Sequence, residues 1–313
     1  MIALHDFRKT LGDVAVSQVS KAVRSDSSRD SSAVIYELGE YYRYKLLRAF
    51  RQAKGPMPAP SQHPSRPSFA TLEDMLKDAL DGSGKDYRSA KKRALVRDGF
   101  RCMLSGMYDL NTVECNPAVY PEHADPVVGI RYTNCCHILS ESTLQDADPD
   151  NPDRDRKREY AASVLAVLQS FGLESLVNEV VKKGCVYHLT NILTMTSYLH
   201  ALFDNLHLWL EATNTSNEYK ICLSRRGLVM PSELKGQTVR FEAHVPDRDD
   251  LPLPDPRLLA IHAACARVNH MSGVAEYADK SDRDAEDMRV LAEDGSSSAV
   301  LLEQVRKIAI SAS

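Results

Sequence analysis

The sequence predicts a mixed α+β protein that combines amphipathic helices with short strands. Several segments carry apolar residues at helical spacing, and the clearest set is Ile35, Leu38, Tyr42, Leu46 and Phe50. Other segments predict strands: LHLWLEA alternates around Trp209, and EYKICL and TVRFEAH have the short apolar pattern of sheet strands. No internal repeat is visible, so a repeated unit of helices and strands is not expected.

Composition limits the classes of protein that this chain can belong to. Its 313 residues are 43% hydrophobic and 26% charged, which is typical of one large or two modest globular domains. No apolar run approaches about 20 residues, so we predict neither a membrane span nor a membrane partner. The opening residues MIALHDFRKTLGD lack the features of a secretory signal, which predicts an intracellular protein. The seven cysteines include no C-x-x-C pair, so spacing does not indicate a zinc knuckle.

Charge is unevenly distributed along the chain. The net charge of -4 argues against a broadly basic nucleic-acid binder. Residues 85–101, however, hold seven basic and two acidic residues, whereas residues 276–294 hold eight acidic and three basic ones. The basic segment predicts a local phosphate-binding face, with a solvated helix face as the alternative. Its candidate nucleic-acid contacts are Lys91, Lys92, Arg93 and Arg97.

The first third of the chain divides into three predicted regions. Residues 1–54 form an N-terminal helical region with a helix over 33–53, and residues 55–70 form a linker rich in proline and serine. Residues 71–101 form a helical, basic lead-in. A helix start at Thr71 and Asp74 opens this region, and the Asp98-Gly99 pair ends it.

Residues 102–212 form the predicted functional domain. It starts with an irregular, strand-rich segment to about residue 138 and an exposed loop over 145–159. Two helices divided by Gly172 follow, and residues 188–212 run as strand, helix and strand. Residues 213–274 add short strands and a helix that begins at Asp255-Pro256, and residues 275–313 form an acidic, flexible tail.

Four polar residues of this domain form the candidate site. His137 closes the strand in YTNCCHILSEST, Asn191 opens the next extended piece, and His200 lies on the helix after it. Asp204 follows His200 at i+4, so the two Cβ atoms lie about 5–6 Å apart on one helical face. An imidazole and a carboxylate placed in this way can share a divalent cation.

Four stretches resemble the HNH nuclease family, whose ββα-metal fold sets two antiparallel strands and a helix around a metal ion. They are RDGFRCMLSG at 97–106, CCHIL at 135–139, LTNILTM at 189–195 and LHALFDNLHLWLE at 199–211. The later segment LPDPRLLAIHAACARVNHMSG resembles uncharacterised fungal proteins that carry an HNH domain. The resemblance implies a ββα-metal core within 102–212, and the two helices between His137 and Asn191 are then an insertion into it.

The resemblance also implies a role for each motif residue. His137 matches the general base that acts on water, Asn191 the residue that orients this base, and His200 the metal-binding histidine with Asp204 as its neighbouring ligand. Cys136 stands where many members carry Asp or His, and a thiolate ligand favours zinc over magnesium.

The implied function is a metal-dependent endonuclease that uses one divalent ion, Mg or Zn, on nucleic acid, DNA before RNA. Two alternatives remain open. One is a catalytically degenerate HNH-derived module that binds nucleic acid or protein. The other is a structural zinc domain whose ligands are Cys135, Cys136, His137 and His200.

Overall fold

The computed structural model describes residues 31–51, 87–120, 128–139, 187–245 and 250–271, with scattered residues between 13 and 24, at 76–77 and between 162 and 178. Helices and strands are both present, so the predicted α+β class is confirmed. The predicted linker over 55–70, the loop over 145–159 and the acidic tail over 275–313 lie outside the described residues. Of the helix predicted from Thr71, only residues 76 and 77 are described, and both are helical.

The chain forms two compact units. Unit 1 comprises Met1–Phe50, Ser142–Val177 and Ala264–Ser313, and unit 2 comprises Arg51–Glu141 and Asn178–Ala263. The segment predicted as an insertion between His137 and Asn191 therefore contributes mainly to unit 1. No helix in the described part of the chain is both long enough and apolar enough to cross a membrane.

In unit 1, helix α1 spans Ser31–Lys45 and is followed by a 3-10 turn at Leu47–Phe50. The predicted continuous helix over 33–53 is thus wrong at its end. The chain tightens into 3-10 geometry there, because the Ala49 N–H donates to the Leu46 carbonyl at 3.1 Å, three residues back. The apolar side chains of this turn are buried: Leu46, Leu47, Ala49 and Phe50. Ile35, at the other end of the predicted stripe, is 55% exposed. Gly172 lies in a turn with φ +80° between helical residues, as predicted.

Unit 2 begins, among its longer described elements, with helix α2 at Tyr87–Arg97. The helix ends as predicted, because Gly99 takes a left-handed φ of +63° directly after Asp98. A Cβ at residue 99 would lie 2.7 Å from Cγ of the exposed His244 side chain, which would have to shift, so conformation is the stronger reason for glycine at this turn.

The segment after α2 contains a helix that the sequence analysis missed. Strand β1 at Tyr108–Asp109 pairs in parallel with β2 at Ile130–Arg131, and helix α3 at Leu110–Cys115 lies between them in sequence. Asp109 caps α3, since its Oδ2 accepts hydrogen bonds from the backbone N and the hydroxyl of Thr112 at 2.9 and 2.7 Å. Its Oδ1 accepts the hydroxyl of Thr133 at 2.7 Å, so one buried carboxylate joins α3 to the next strand.

The central part of unit 2 is a strand pair with a helix directly after it. Strand β3 spans Thr133–His137, and β4 spans Ile192–Thr196 after a 3-10 turn at Leu189–Asn191. The two strands pair antiparallel, with Cys136 opposite Leu193 and His137 opposite Ile192. Helix α4 at Ser197–Asp204 follows β4 without a loop.

A second sheet and a long helix complete the described elements. Strands β5 at Leu208–Ala212, β6 at Glu218–Leu223 and β7 at Thr238–Arg240 form an antiparallel sheet in chain order. Helix α5 spans Pro256–Met271. An apolar cluster in unit 2 packs α2 against β3 and the start of β4, and its buried members are Ala90, Ala94, Val96, Cys135, Leu189, Ile192 and Leu251.

Candidate metal site

Cys136, His200 and Asp204 bring their ligand atoms together between β3 and α4. The sulfur, the ring nitrogen and a carboxylate oxygen all lie within 4.8 Å of one another. Nε2 of His200 is 3.0 Å from Oδ2 of Asp204, and Sγ of Cys136 is 3.8 Å from Oδ1 of the same carboxylate. The predicted i, i+4 pair on the helix therefore gains a third candidate ligand from the strand.

These separations fit a metal ion without a large rearrangement. In a tetrahedral zinc site with bonds of about 2.0–2.3 Å, neighbouring ligand atoms lie roughly 3.3–3.8 Å apart. The separations of 3.0 and 3.8 Å go to the two different oxygens of Asp204, and all three ligand atoms lie within 4.8 Å, so side-chain shifts of up to about 1 Å bring them into that range. A Cys, His and Asp set also leaves a fourth position open, which is the pattern of catalytic zinc sites.

Without a cation, the surroundings of Cys136 favour its neutral thiol. Burial raises the pKa of Cys136 well above its usual value, and the nearby Asp204 carboxylate raises it further. A divalent cation reverses this balance, because it stabilises the thiolate directly. A carboxylate and a buried thiolate so close together repel each other, and a shared cation would offset that repulsion.

His137 directly follows Cys136 on β3, so alternation turns its side chain to the other face of the strand, yet the charges of His200 and Asp204 still act on its ring. Its Nε2 is buried and has no hydrogen-bond partner among the described residues. Burial lowers the pKa of His137 to about 4, and the charge of His200 acts in the same direction, whereas Asp204 opposes it. The ring is therefore neutral near pH 7, and a pKa this low makes it a weak proton acceptor as long as it stays buried. Tyr87 and Tyr187 flank it, with ring centroids 6.3 and 5.8 Å away.

Asn191 fixes the chain directly after His137. Its Oδ1 accepts the backbone N–H of Leu139 at 2.8 Å, and its Nδ2 donates to the Leu139 carbonyl at 3.0 Å. The backbone of Asn191 also accepts the N–H of Ile138 at 2.9 Å. These bonds hold the end of β3, so Asn191 acts on the position of His137 through the backbone.

The basic residues predicted to contact nucleic acid are largely used inside the protein. Arg97 has no exposed surface, and its guanidinium binds the Asp98 carboxylate in two bonds of 2.7 and 2.9 Å. The prediction that Arg97 binds phosphate is therefore wrong. Lys91 donates to the Thr133 carbonyl at 2.8 Å, and Arg93 binds both the carbonyl and the carboxylate of Asp250. Lys92 is partly buried.

The structure also decides against one of the alternative ligand sets. Cys135 and Cys136 are neighbours on a strand, so their side chains point to opposite faces. Cys135 lies in the apolar cluster that packs against α2, whereas Cys136 faces His200 and Asp204. The four-ligand zinc site of Cys135, Cys136, His137 and His200 is therefore wrong.

Tyr87 and Tyr187, the rings beside His137, were not identified from sequence. Tyr87 opens the basic helix and Tyr187 stands four residues before Asn191, so nearness to the motifs was the available signal.

Comparisons with known proteins found no match among protein-family models, curated proteins or solved structures. The functional argument therefore depends on the geometry of the site.

Proposed function

We propose that this protein is a metal-dependent endonuclease of the HNH type, with β3, β4 and α4 as its ββα-metal core. The observation that carries the proposal is the cluster of Cys136, His200 and Asp204, with His137 and its unpartnered Nε2 directly after Cys136 in the chain. Phosphodiester hydrolysis needs an activated water and charge stabilisation at the phosphate, and these two groups would meet the two needs separately.

Each residue has one task in this proposal. Cys136, His200 and Asp204 would hold the cation, which would stabilise negative charge on the phosphate and on the leaving oxygen. His137, neutral near pH 7, takes a proton from water at Nε2. Asn191 is a positioning residue, because it fixes the backbone at Leu139 and so the end of the strand that carries His137.

The donor set favours zinc as the resident ion. A thiolate is a soft ligand and an imidazole suits zinc well, whereas magnesium prefers a shell of oxygen atoms. Of the three candidate ligands, only Asp204 offers oxygen. Cleavage that is supported by zinc and supported poorly by magnesium or manganese is the expected pattern.

Three variants and one control test the proposal on the full chain. His137→Ala should keep the metal and lose about 10²–10⁴-fold in plasmid cleavage, the usual worth of general-base catalysis. His200→Ala should lose metal and cleavage together, and Asn191→Ala should keep the metal and lose part of the rate. His207→Ala is the control, since His207 is not one of the candidate ligands and its Nδ1 is 2.9 Å from the Ser224 hydroxyl, so both properties should stay unchanged.

Two results would overturn the assignment. Cleavage by His137→Ala at the parental rate would remove the proposed base. Tight zinc binding by the parent without cleavage of DNA or RNA under any divalent cation would make the cluster a structural or binding centre. The full burial of Cys136 favours such a structural centre as the second candidate.

A further inference from the structure

Two exposed tyrosines lie next to each other at the start of α4. Tyr132 is 58% exposed and Tyr198 is 48% exposed, although large aromatic rings are usually buried. The backbone N–H of Ser197 donates to the Tyr132 carbonyl at 3.3 Å, so the two tyrosines stand on adjoining backbone segments. Neither ring has a stacking partner among the described residues.

Exposed arginines lie close to this pair along the chain. The hydroxyl of Tyr198 donates to the carbonyl of Leu228, which ties the turn after β6 to the start of α4. Arg226 precedes Leu228 by two residues, so their Cα atoms are at most about 7 Å apart. Arg225 and Arg226 are both exposed, and neither makes an ion pair or side-chain hydrogen bond within the described part of the chain. Arg131, also exposed, directly precedes Tyr132.

The surface adjoins the candidate metal site. His200 follows Tyr198 by two residues on α4, and Cys136 follows Tyr132 by four residues along the chain that enters β3, about 13 Å in extended backbone. Because residues at i and i+2 point to different sides of a helix, Tyr198 and the His200 ring lie close along the chain without sharing one face of α4. Glu233 stands at the edge of this surface, where its carboxylate accepts the backbone N–H of Met230 at 2.9 Å.

We infer that Tyr132, Tyr198, Arg131, Arg225 and Arg226 form a tyrosine–arginine surface that binds unpaired nucleic acid. Flat exposed rings stack on bases, which a duplex keeps inside its own stack, and exposed arginines neutralise phosphates. Arg131 donates to the Ile130 carbonyl at 3.0 Å through one guanidinium nitrogen, whereas Arg225 and Arg226 make no side-chain hydrogen bond or ion pair within the described residues. The inference rests on the proposed function, which makes the partner a nucleic acid. It adds that the bound form of this nucleic acid is unpaired, either a single strand or an unpaired junction.

The test is a binding measurement that does not depend on cleavage. Fluorescence anisotropy of labelled oligo-dT and of a duplex of the same length is followed with the full chain, and a denaturing gel confirms that the probes stay intact. The parent should bind oligo-dT more tightly than the duplex. Tyr132→Ala and Tyr198→Leu should each weaken oligo-dT binding by roughly 5- to 150-fold, the range measured for loss of one stacked base. Tyr36→Ala, which removes a tyrosine that is 62% exposed in unit 1, should have no effect.

A second pair of variants tests the arginines. Arg225→Gln with Arg226→Gln should lower the slope of log affinity against log salt by about 1.4, since each phosphate contact on a single strand contributes about 0.7. Lys220→Gln with Arg240→Gln changes the net charge equally on the sheet of β6 and β7 and should leave the slope unchanged.

The outcomes separate this inference from the proposed nuclease function. Equal oligo-dT affinity in the parent and both tyrosine variants overturns the inference, even if the parent cleaves DNA. Preference for duplex, or no binding of either probe, overturns it as well. Tyrosine-dependent oligo-dT binding by a parent that cleaves nothing supports the inference and counts against the nuclease.

Discussion

Replacing Arg97 by Met should destabilise the protein strongly, because Arg97 is a buried structural cation and does not contact nucleic acid. Beyond the two bonds to Asp98, its guanidinium donates to the carbonyls of Leu189 at 2.8 Å, Ile192 at 2.9 Å and Pro252 at 3.1 Å. These contacts fasten the end of α2 to the start of β4, next to Asn191.

The magnitude follows from what the substitution leaves behind. Asp98 is only 4% exposed, so its carboxylate would stay buried without a counter-charge. Breaking a buried ion pair in this way costs about 3–5 kcal/mol, and three carbonyls that lose a donor add to that cost. A loss of this size is a large share of the about 5–15 kcal/mol that typically holds a domain folded.

Urea unfolding of the full chain, followed by circular dichroism, measures the effect. Arg97→Lys keeps the charge but loses the paired geometry, so its stability should lie between those of the parent and Arg97→Met. Arg240→Met is the matched control. Arg240 is paired with Glu242 at 3.3 Å, but both side chains are mostly exposed, and its loss should change stability by less than about 0.5 kcal/mol.

One result would refute this reasoning. If Arg97→Met unfolds at the parental urea concentration while its nucleic-acid affinity drops with a shallower salt dependence, Arg97 acts at a surface and is not a buried structural cation. A double variant, Arg97→Met with Asp98→Leu, adds a second check. It should recover part of the lost stability, since no unpaired buried charge remains.

Three further predictions concern the site and its support. Asn191→Ala should cost about 2–4 kcal/mol in urea unfolding, because both backbone groups of Leu139 lose their partner, whereas Asn134→Ala removes only a bond to Ser197 at the surface and should cost far less. Cys136→Asp should weaken zinc binding and raise the response to magnesium or manganese in metal titrations, and Cys135→Ala should leave metal content unchanged. Acid should destabilise the protein through His262, whose pKa burial lowers to about 3. The imidazole is neutral when folded and binds a proton when unfolded, so its contribution is complete above about pH 6.5 and is lost as the pH falls toward 3, up to roughly 5 kcal/mol. His262→Gln should flatten urea stability against pH over that window, and an unchanged profile would contradict the assignment.

Local sequence signals predicted the elements that frame the site. The strand, helix and strand across 188–212 and the end of α2 at Asp98-Gly99 follow from apolar periodicity and turn residues. The His200 and Asp204 pair follows from the 3.6-residue period of a helix, which places i and i+4 on one face wherever the helix packs. The start of helix α3 could also have been predicted, since Asp109 and Thr112 form a capping pair whose spacing is visible in the sequence.

Tertiary structure alone decided which side chains of these elements contact one another. Alternation places Cys135 and Cys136 on opposite faces of a strand, but only the pairing of β3 with β4 and the position of α4 determine which cysteine meets His200. A run of basic residues does not reveal that Arg97 is buried, because the carbonyls that bind it lie 92 to 155 residues further along the chain. Tyr132, Tyr198 and Arg226 likewise form one surface only after folding. Periodicity and capping act over a few residues, whereas burial and ligand clusters depend on long-range packing, for which a single sequence carries no local signal.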